Sequence, residues 1–502
     1  MMPAQQLEEP LSTEHLKTDL KGRSVRGGVV TVASQGSQFV VQSVLTVVLA
    51  RLLTPADFGL VAMVTAVTGL AQAFADVGLS EATIQCEEIS HNQVSILFWI
   101  NLAVGMGLAL ITVGLGPALA WLDREPRLTD IAFVLSLTFL FGGLRVQPDA
   151  ILKRQMRFTA LAMRDIAASA LGVAAAVVMA WRGAGYWALV AFPLTSTFTQ
   201  MALSWWMVNW RPSLPRRAAQ VGSLVAFGGN VAVSYFIYNL NRSVDKILVG
   251  WYWSAGPLGL YSRASNLVVL PLRQLAAPVA GVVVPTFSRL QNDPERFARY
   301  YLRTVNLVVW VMAPLFAFLF VAARPVIALV LGPQWGESAP VFQILVISGL
   351  AQLLFDSTLW LFVSRGQSAK LRNVLLVAFP AIGASYVIGL PFGIKGVALA
   401  YTLALLAMMP WALKFTFRGT ELTLQRLGQA LVYPVSLSLV SALFGEIALH
   451  VFAPQGVFPQ FLAIGLGFGF AFSLSAAIPA VRAEVVALKL LLGELRFARQ
   501  AA

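Results

Sequence analysis

Long apolar runs follow one another along this chain, each broken after roughly thirty residues by a short polar or basic stretch. A run of ~20 apolar residues is what an α-helix needs to cross the hydrocarbon core, and together these runs supply about fourteen such helices. They are continuous and do not alternate at period two, which excludes an outer-membrane barrel. Charged residues make up 12% of the chain, against about 25% in soluble proteins, and hydrophobic residues 58%. Backbone in lipid must satisfy its own hydrogen bonds, so the reading is an all-α polytopic membrane protein.

The net charge is +13, from 36 Lys and Arg against 23 Asp and Glu. In a soluble protein that surplus would suggest nucleic acid; here the charges sit in the breaks and report topology, and no nucleic-acid partner is expected. Residues 1–23 mix acids with bases and are too acidic for a signal-peptide n-region, so they read as a cytoplasmic tail. The first run, 27–53, ends at Arg51, Thr54 and Pro55 with no small-residue cleavage site, so it is expected to be retained. Most remaining basic residues fall in alternate breaks: Arg145, Lys153, Arg154, Arg157 and Arg164; Arg211, Arg216 and Arg217; Arg289, Arg296, Arg299 and Arg303; Arg365, Lys370 and Arg372; Lys414, Arg418 and Arg426. That bias predicts a multi-pass protein with both termini in the cytoplasm. Cys86 is the single cysteine, and His15, His91 and His450 are scattered, so no disulfide, metal site or cofactor is expected.

The chain also resembles itself. Gly27-Gly28 recurs as Gly228-Gly229, and Pro55-Ala56-Asp57-Phe58-Gly59-Leu60 recurs loosely as Ala255-Gly256-Pro257-Leu258-Gly259-Leu260. A near-constant offset across six helices predicts two six-helix lobes plus two C-terminal helices; the alternative is a chance match among 39 glycines and 25 prolines. The expected divisions are 24–210 for the N-terminal lobe (helices one to six), 211–420 for the C-terminal lobe, and 421–481 for helices thirteen and fourteen. Residues 482–502 read as an amphipathic cytoplasmic tail, with Arg482, Lys489 and Arg496 set against Val485, Leu488, Leu492 and Leu495.

Arg242, Lys246, Arg263 and Arg273 cannot be moved out of the membrane by any placement of helices seven (220–252) and eight (257–287). Each costs on the order of 2.5–3.5 kcal/mol at the bilayer centre, so each needs a partner, water or a ligand. Helix seven runs outward and helix eight returns, which brings Arg242 and Lys246 to the depth of Arg263. Asp245 balances only part of that charge, and the surplus suits an anion, a pyrophosphate best. The alternative is that Arg242, Asp245 and Lys246 form an ion network fixing one helix end while Arg263 and Arg273 snorkel to headgroups.

On helix one, Thr31, Gln35, Gln38, Gln42 and Thr46 share a face, suited either to sugar hydroxyls or to a neighbouring helix. Asn239 stands among Asn230, Tyr235, Tyr238 and Asn241 on helix seven as lining material. Asp356 is the candidate ion-coupling acid, whereas Asp76 and Asp165 lie close to the cytoplasmic interface, where burial costs little. Pro271, Pro278 and Pro285 in helix eight, and Pro314 in helix nine (301–323), are expected to bend their helices. There is no P-loop, no DxD-like acidic pair outside the membrane and no large soluble insertion, so no enzyme is expected.

Several segments resemble the polysaccharide transporters of the multidrug/oligosaccharidyl-lipid/polysaccharide exporter superfamily. They are Leu49-Ala50-Arg51-Leu52-Leu53-Thr54-Pro55-Ala56-Asp57-Phe58-Gly59, Asp76-Val77-Gly78-Leu79, Leu152-Lys153-Arg154-Gln155-Met156-Arg157-Phe158, Val244-Asp245-Lys246-Ile247-Leu248-Val249-Gly250 and Leu258-Gly259-Leu260-Tyr261-Ser262-Arg263-Ala264. The resemblance implies fourteen helices in two lobes that rock between inward-open and outward-open states, driven by an ion gradient. It implies a substrate of undecaprenyl-diphosphate-linked oligosaccharide, flipped for lipopolysaccharide, capsule or exopolysaccharide. It also implies a cationic lumen, which carries over to Arg242, Lys246, Arg263 and Arg273, with the N-terminal lobe departing from the related lipid II flippases by its poverty of charge. The expected partners are lipid-linked oligosaccharide, membrane lipids, and polysaccharide synthesis and polymerase proteins, with the chain itself a monomer. Lipid II flipping, a multidrug or sodium antiporter and, in a different class, a membrane polysaccharide polymerase are the alternatives.

Overall fold

The computed structural model describes residues 20–214 except 76–79, 81–82, 85 and 87–88, together with 243–475, 479 and 481–482. The expected roles of Asp76, Asn239 and Arg242, the glycine pair at 228–229 and the C-terminal amphipathic tail lie outside the described residues, as do residues 1–19. The chain divides into two compact units, Met1–Gly259 and Leu260–Ala502. No strand occurs among the described residues.

The first unit contains α1 (Leu20–Leu52), α2 (Pro55–Ala75), α3 (His91–Leu122), α4 (Arg127–Arg154), α5 (Phe158–Trp181) and α6 (Trp187–Met207). It ends with α7 (243–253) and the first turn of α8 (Ala255–Arg289). The second unit holds the rest of α8, α9 (Pro294–Val321), the short α10 (Ala323–Val330), α11 (Ser338–Ser364) and α12 (Ser368–Gly389). It closes with α13 (Gly393–Phe417), α14 (Leu424–Phe452) and α15 (Val457–Ser475). Ten candidate membrane spans occur among the described residues, one of which, Ala369–Phe417, contains both α12 and α13. Large apolar side chains such as Leu110, Leu439, Val451 and Leu466 are exposed, as a surface meeting acyl chains requires. The protein is all-α and largely membrane-embedded.

Local chemistry fixes several helix ends. Ser90 and Gln93 form a reciprocal capping box at the start of α3, with the Ser90 backbone N–H donating to Gln93 Oε1 at 2.9 Å. Asp293 accepts from the Arg296 backbone N–H at 3.1 Å, and Pro294 follows as the first helical residue of α9. α9 thus begins at Pro294, earlier than the expected 301, and carries Arg296, Arg299 and Arg303 on helix rather than in a loop. α1 likewise starts at Leu20, inside the stretch expected to be tail. α8 runs as one helix through Pro271, Pro278 and Pro285.

Within the first unit α3 lies along α4, α5 along α6 and α1 on α5; within the second, α9 and α15 both pack on α14, and α11 and α12 on α13. Apolar area drives little association between helices in lipid, so close backbone approach matters more. At the α3–α4 crossing, a Cβ on Gly105 would meet the Phe139 carbonyl oxygen at 2.7 Å, and one on Gly143 the Asn101 carbonyl oxygen at 2.8 Å. The start of α2 meets the start of α8 in the same manner. A Cβ on Gly59 would fall inside the Ala255 carbonyl, and one on Gly259 inside the Pro55 carbonyl.

That contact is reciprocal under the sequence offset that relates 55–60 to 255–260. The backbone repeats with it, since Phe58 N–H donates to the Thr54 carbonyl and Leu258 N–H to the Ser254 carbonyl. A second local repeat joins the α4–α5 turn to the α11–α12 turn. Gln155, Met156 and Arg157 donate to the carbonyls of Ile151, Lys153 and Leu152, and Arg365, Gly366 and Gln367 donate to those of Leu361, Val363 and Phe362. Met156 (φ 54°) and Gly366 (φ 64°) hold the same left-handed position.

Candidate functional site

The polar face expected of helix one lies on α1. Gln35 and Gln42 are exposed, and Gln38 is half-buried and donates through Nε2 to Ser34 Oγ at 3.1 Å. Thr31 and Thr46 bond back to the carbonyls of Gly27 and Gln42, each at 2.8 Å, so the stripe's hydroxyls are satisfied within α1. Among the described residues no hydrogen bond engages the Gln35 or Gln42 side-chain amide.

Of the cationic residues and their acid, Asp245 is buried and Lys246 half-buried on α7. Arg263 is half-buried and Arg273 exposed, both on α8 in the second unit. Asp245, Lys246, Arg263 and Arg273 all have interaction partners. Asp356, half-buried on α11, accepts from Gln352 Nε2 at 2.7 Å, and Gln352 Oε1 in turn accepts from the Tyr401 hydroxyl at 3.1 Å. Tyr401 stacks on Tyr386 with ring centroids 5.5 Å apart. A hydrogen-bonded chain therefore links the acid on α11 to α13, with an aromatic brace from α12.

The first unit also holds a polar centre that sequence reasoning missed. Arg164 on α5 is 5% exposed and joins two carboxylates. It pairs with Asp149 on α4, and with Asp165 at 2.6 Å. Ser204 on α6 donates to Asp149 Oδ1 at 2.7 Å and accepts from Arg164 Nη1 at 2.8 Å, while Arg145 approaches Asp149 at 3.4 Å. Nearby in the chain, buried Arg154 donates to the carbonyls of Thr83 and Cys86, and Thr83 Oγ1 donates to Gln147 Oε1 at 2.9 Å. The sequence reading assigned Arg145, Arg154 and Arg164 to a solvated cytoplasmic break and set Asp165 aside. Arg154 and Arg164 are instead buried. The legible signal was Arg145 and Asp149 four residues apart on one helix face, next to an Arg164-Asp165 pair that could neutralise them.

Between the α3 and α4 spans, the Glu125 carboxyl is held below its ordinary value of 4.5, chiefly by the hydrogen bond from Arg127, whose Nε lies 2.7 Å away. Burial pushes Asp123 above its ordinary 3.8, and its buried Oδ1 accepts no hydrogen bond. No group of three or more metal-ligating side chains gathers among the described residues.

This arrangement of helices is that of a known class of membrane proteins. The lipid II flippase MurJ, in an inward closed conformation, shares the fold with a TM-score of 0.64 over 90% of this chain and 99% of that one, at 12% identity. An inward-facing multidrug resistance MATE family transporter of the MOP superfamily shares it at 0.60, over 78% of this chain and 95% of that one, at 15% identity. Residues 48–340 match the family described as polysaccharide biosynthesis protein, and the chain belongs to that family.

Its relatives include the lipopolysaccharide biosynthesis protein WzxC of Escherichia coli (strain K12), 26% identical over 309 residues, 60% of this chain and 62% of that protein. The succinoglycan biosynthesis transport protein ExoT of Rhizobium meliloti (strain 1021) is 26% identical over 321 residues, 63% of this chain and 64% of that one. The teichuronic acid biosynthesis protein TuaB of Bacillus subtilis (strain 168) is 24% identical over 309 residues, 60% and 63%. The chain thus spans less than two thirds of the length of these relatives.

Proposed function

We propose that this protein carries undecaprenyl-diphosphate-linked oligosaccharide units across a bacterial inner membrane, by alternating access, for lipopolysaccharide, capsule or exopolysaccharide synthesis. The observation that carries the reading is membership of the polysaccharide biosynthesis family together with a relative named as a succinoglycan transport protein. The fold shared with a lipid II flippase supports it. The role is transport and not catalysis, with both termini in the cytoplasm and two six-helix lobes at 24–210 and 211–420.

In this reading Arg242, Lys246, Arg263 and Arg273 hold the diphosphate, because cations at membrane depth are tolerable where a ligand compensates them. Asp245 orients the cluster, and Gln35, Gln38, Gln42 and Asn239 meet sugar hydroxyls. Asp356, in its chain with Gln352 and Tyr401, is the coupling acid.

The test is reconstitution in liposomes with a labelled undecaprenyl-diphosphate oligosaccharide under an imposed pH or sodium gradient. Wild type is expected to translocate the lipid, and Lys246→Ala and Arg263→Ala to fail while still folding. Translocation by both variants at the wild-type rate would overturn the site. No movement of the lipid by wild type under either gradient would overturn the function.

A further inference from the structure

α9 presents Arg296, Arg299 and Arg303 at spacings of three and four residues, on one helix face. That face lines a cavity of about 540 Å³ which Tyr300 and Asn306 of α9 and Ala430 of α14 also line, all within the second unit. Asp293, the nearest acid before Arg296 in the chain apart from Glu295, uses its carboxylate to cap the Arg296 backbone N–H. Among the described residues none of these three guanidiniums forms an ion pair. Asn306, one turn beyond Arg303, carries a buried Oδ1 that accepts no hydrogen bond. The wall therefore offers three uncompensated cations, a phenol hydroxyl and a vacant acceptor.

The cavity's place on the helix says which anion it suits. Pro294–Val321 is a candidate membrane span with the arginines in its first turns, which is headgroup depth. Past Ala430, α14 exposes Tyr433, Val440 and Phe444 on the flank next to Ala430's own face, surface fit for acyl chains and not for a water-borne ion. We propose that this cavity binds the phosphate of a membrane lipid, with Asn306 Oδ1 accepting from a hydroxyl or ammonium of the same headgroup. Arginine forks recognise phosphate oxygens in pairs, so Arg299 and Arg303 supply the main contact. The phosphate belongs either to a bulk glycerophospholipid or to a carrier lipid diphosphate. The site does not depend on the transport reading.

Native mass spectrometry of the whole protein in uncharged detergent tests this, with phosphatidylglycerol, undecaprenyl diphosphate and diacylglycerol added separately. Wild type is expected to retain at least one of the two phosphate lipids and not diacylglycerol. Preference for phosphatidylglycerol names the bulk lipid, and preference for undecaprenyl diphosphate names the carrier. Arg299→Gln with Arg303→Gln should weaken retention by roughly tenfold or more, and Arg324→Gln, an exposed arginine on α10, should leave it unchanged. If the glutamine pair aggregates, Asn306→Leu carries the test and should weaken phosphatidylglycerol retention. Retention equal to wild type in the folded arginine or asparagine variant, or diacylglycerol held as well as the phosphate lipids, overturns the proposal.

Discussion

Replacing Gly59 by alanine separates two effects that usually oppose each other. Inside a helix the exchange gains about 1 kcal/mol from backbone propensity. At Gly59 the new methyl would fall inside the Ala255 carbonyl, and backbone, unlike a flexible side chain, cannot turn aside. Overpacking of this kind costs about 1–3 kcal/mol, occasionally more. Gly69 lies on the same helix with nothing within 4 Å of its Cβ position, so Gly69→Ala should keep the whole gain.

The propensity gain is common to both variants, so they should differ by about 1–3 kcal/mol, with Gly59→Ala the less stable. The reciprocal approach makes Gly259→Ala resemble Gly59→Ala, and the double variant should cost less than the sum, because both strain one contact. Thermal unfolding of the detergent-purified protein, followed by tryptophan fluorescence, reads the order. If Gly59→Ala melts at or above Gly69→Ala, the α2–α8 crossing is looser than described and the packing argument fails.

Arg164→Ala should destabilise by about 3–5 kcal/mol, because it leaves Asp149 and Asp165 without their shared cation; Ser204→Ala should cost about 1 kcal/mol. Equal melting temperatures for these two variants would contradict the network. Burial raises Asp123 in the folded protein, so its ionised form opposes folding above its ordinary 3.8. Asp123→Asn should accordingly raise the melting temperature at pH 7, and the gap to wild type should close as pH falls through the raised folded value; a gap independent of pH would exclude this cause.

The spans were legible because apolar run length is a direct requirement of the bilayer. The start of α9 was missed for a definite reason. Topology counting places arginines in breaks, yet Arg is a good helix former, and the Asp293-Pro294 pair was already the stronger signal. α10 and the following turn at Pro333–Trp335 were not foreseen, since eight residues carry too little periodicity.

At the candidate site, residue types were readable one at a time and their partners were not. Asp356 was chosen for its depth, but its tie through Gln352 to Tyr401 joins helices far apart in sequence. The Arg164 centre was hidden for the same reason: its ligands come from three helices, and a tally by break assigns each charge to solvent.

The crossing of α2 and α8 also limits how the sequence can drift. Each helix presents a glycine to the first turn of the other, so neither position accepts a side chain until the opposite helix withdraws. That withdrawal would leave a gap beside the remaining glycine. The pair is thus locked by mutual dependence: natural variants should keep small residues at 59 and 259 in tandem, while Gly69 and Gly256, which face open space, wander independently.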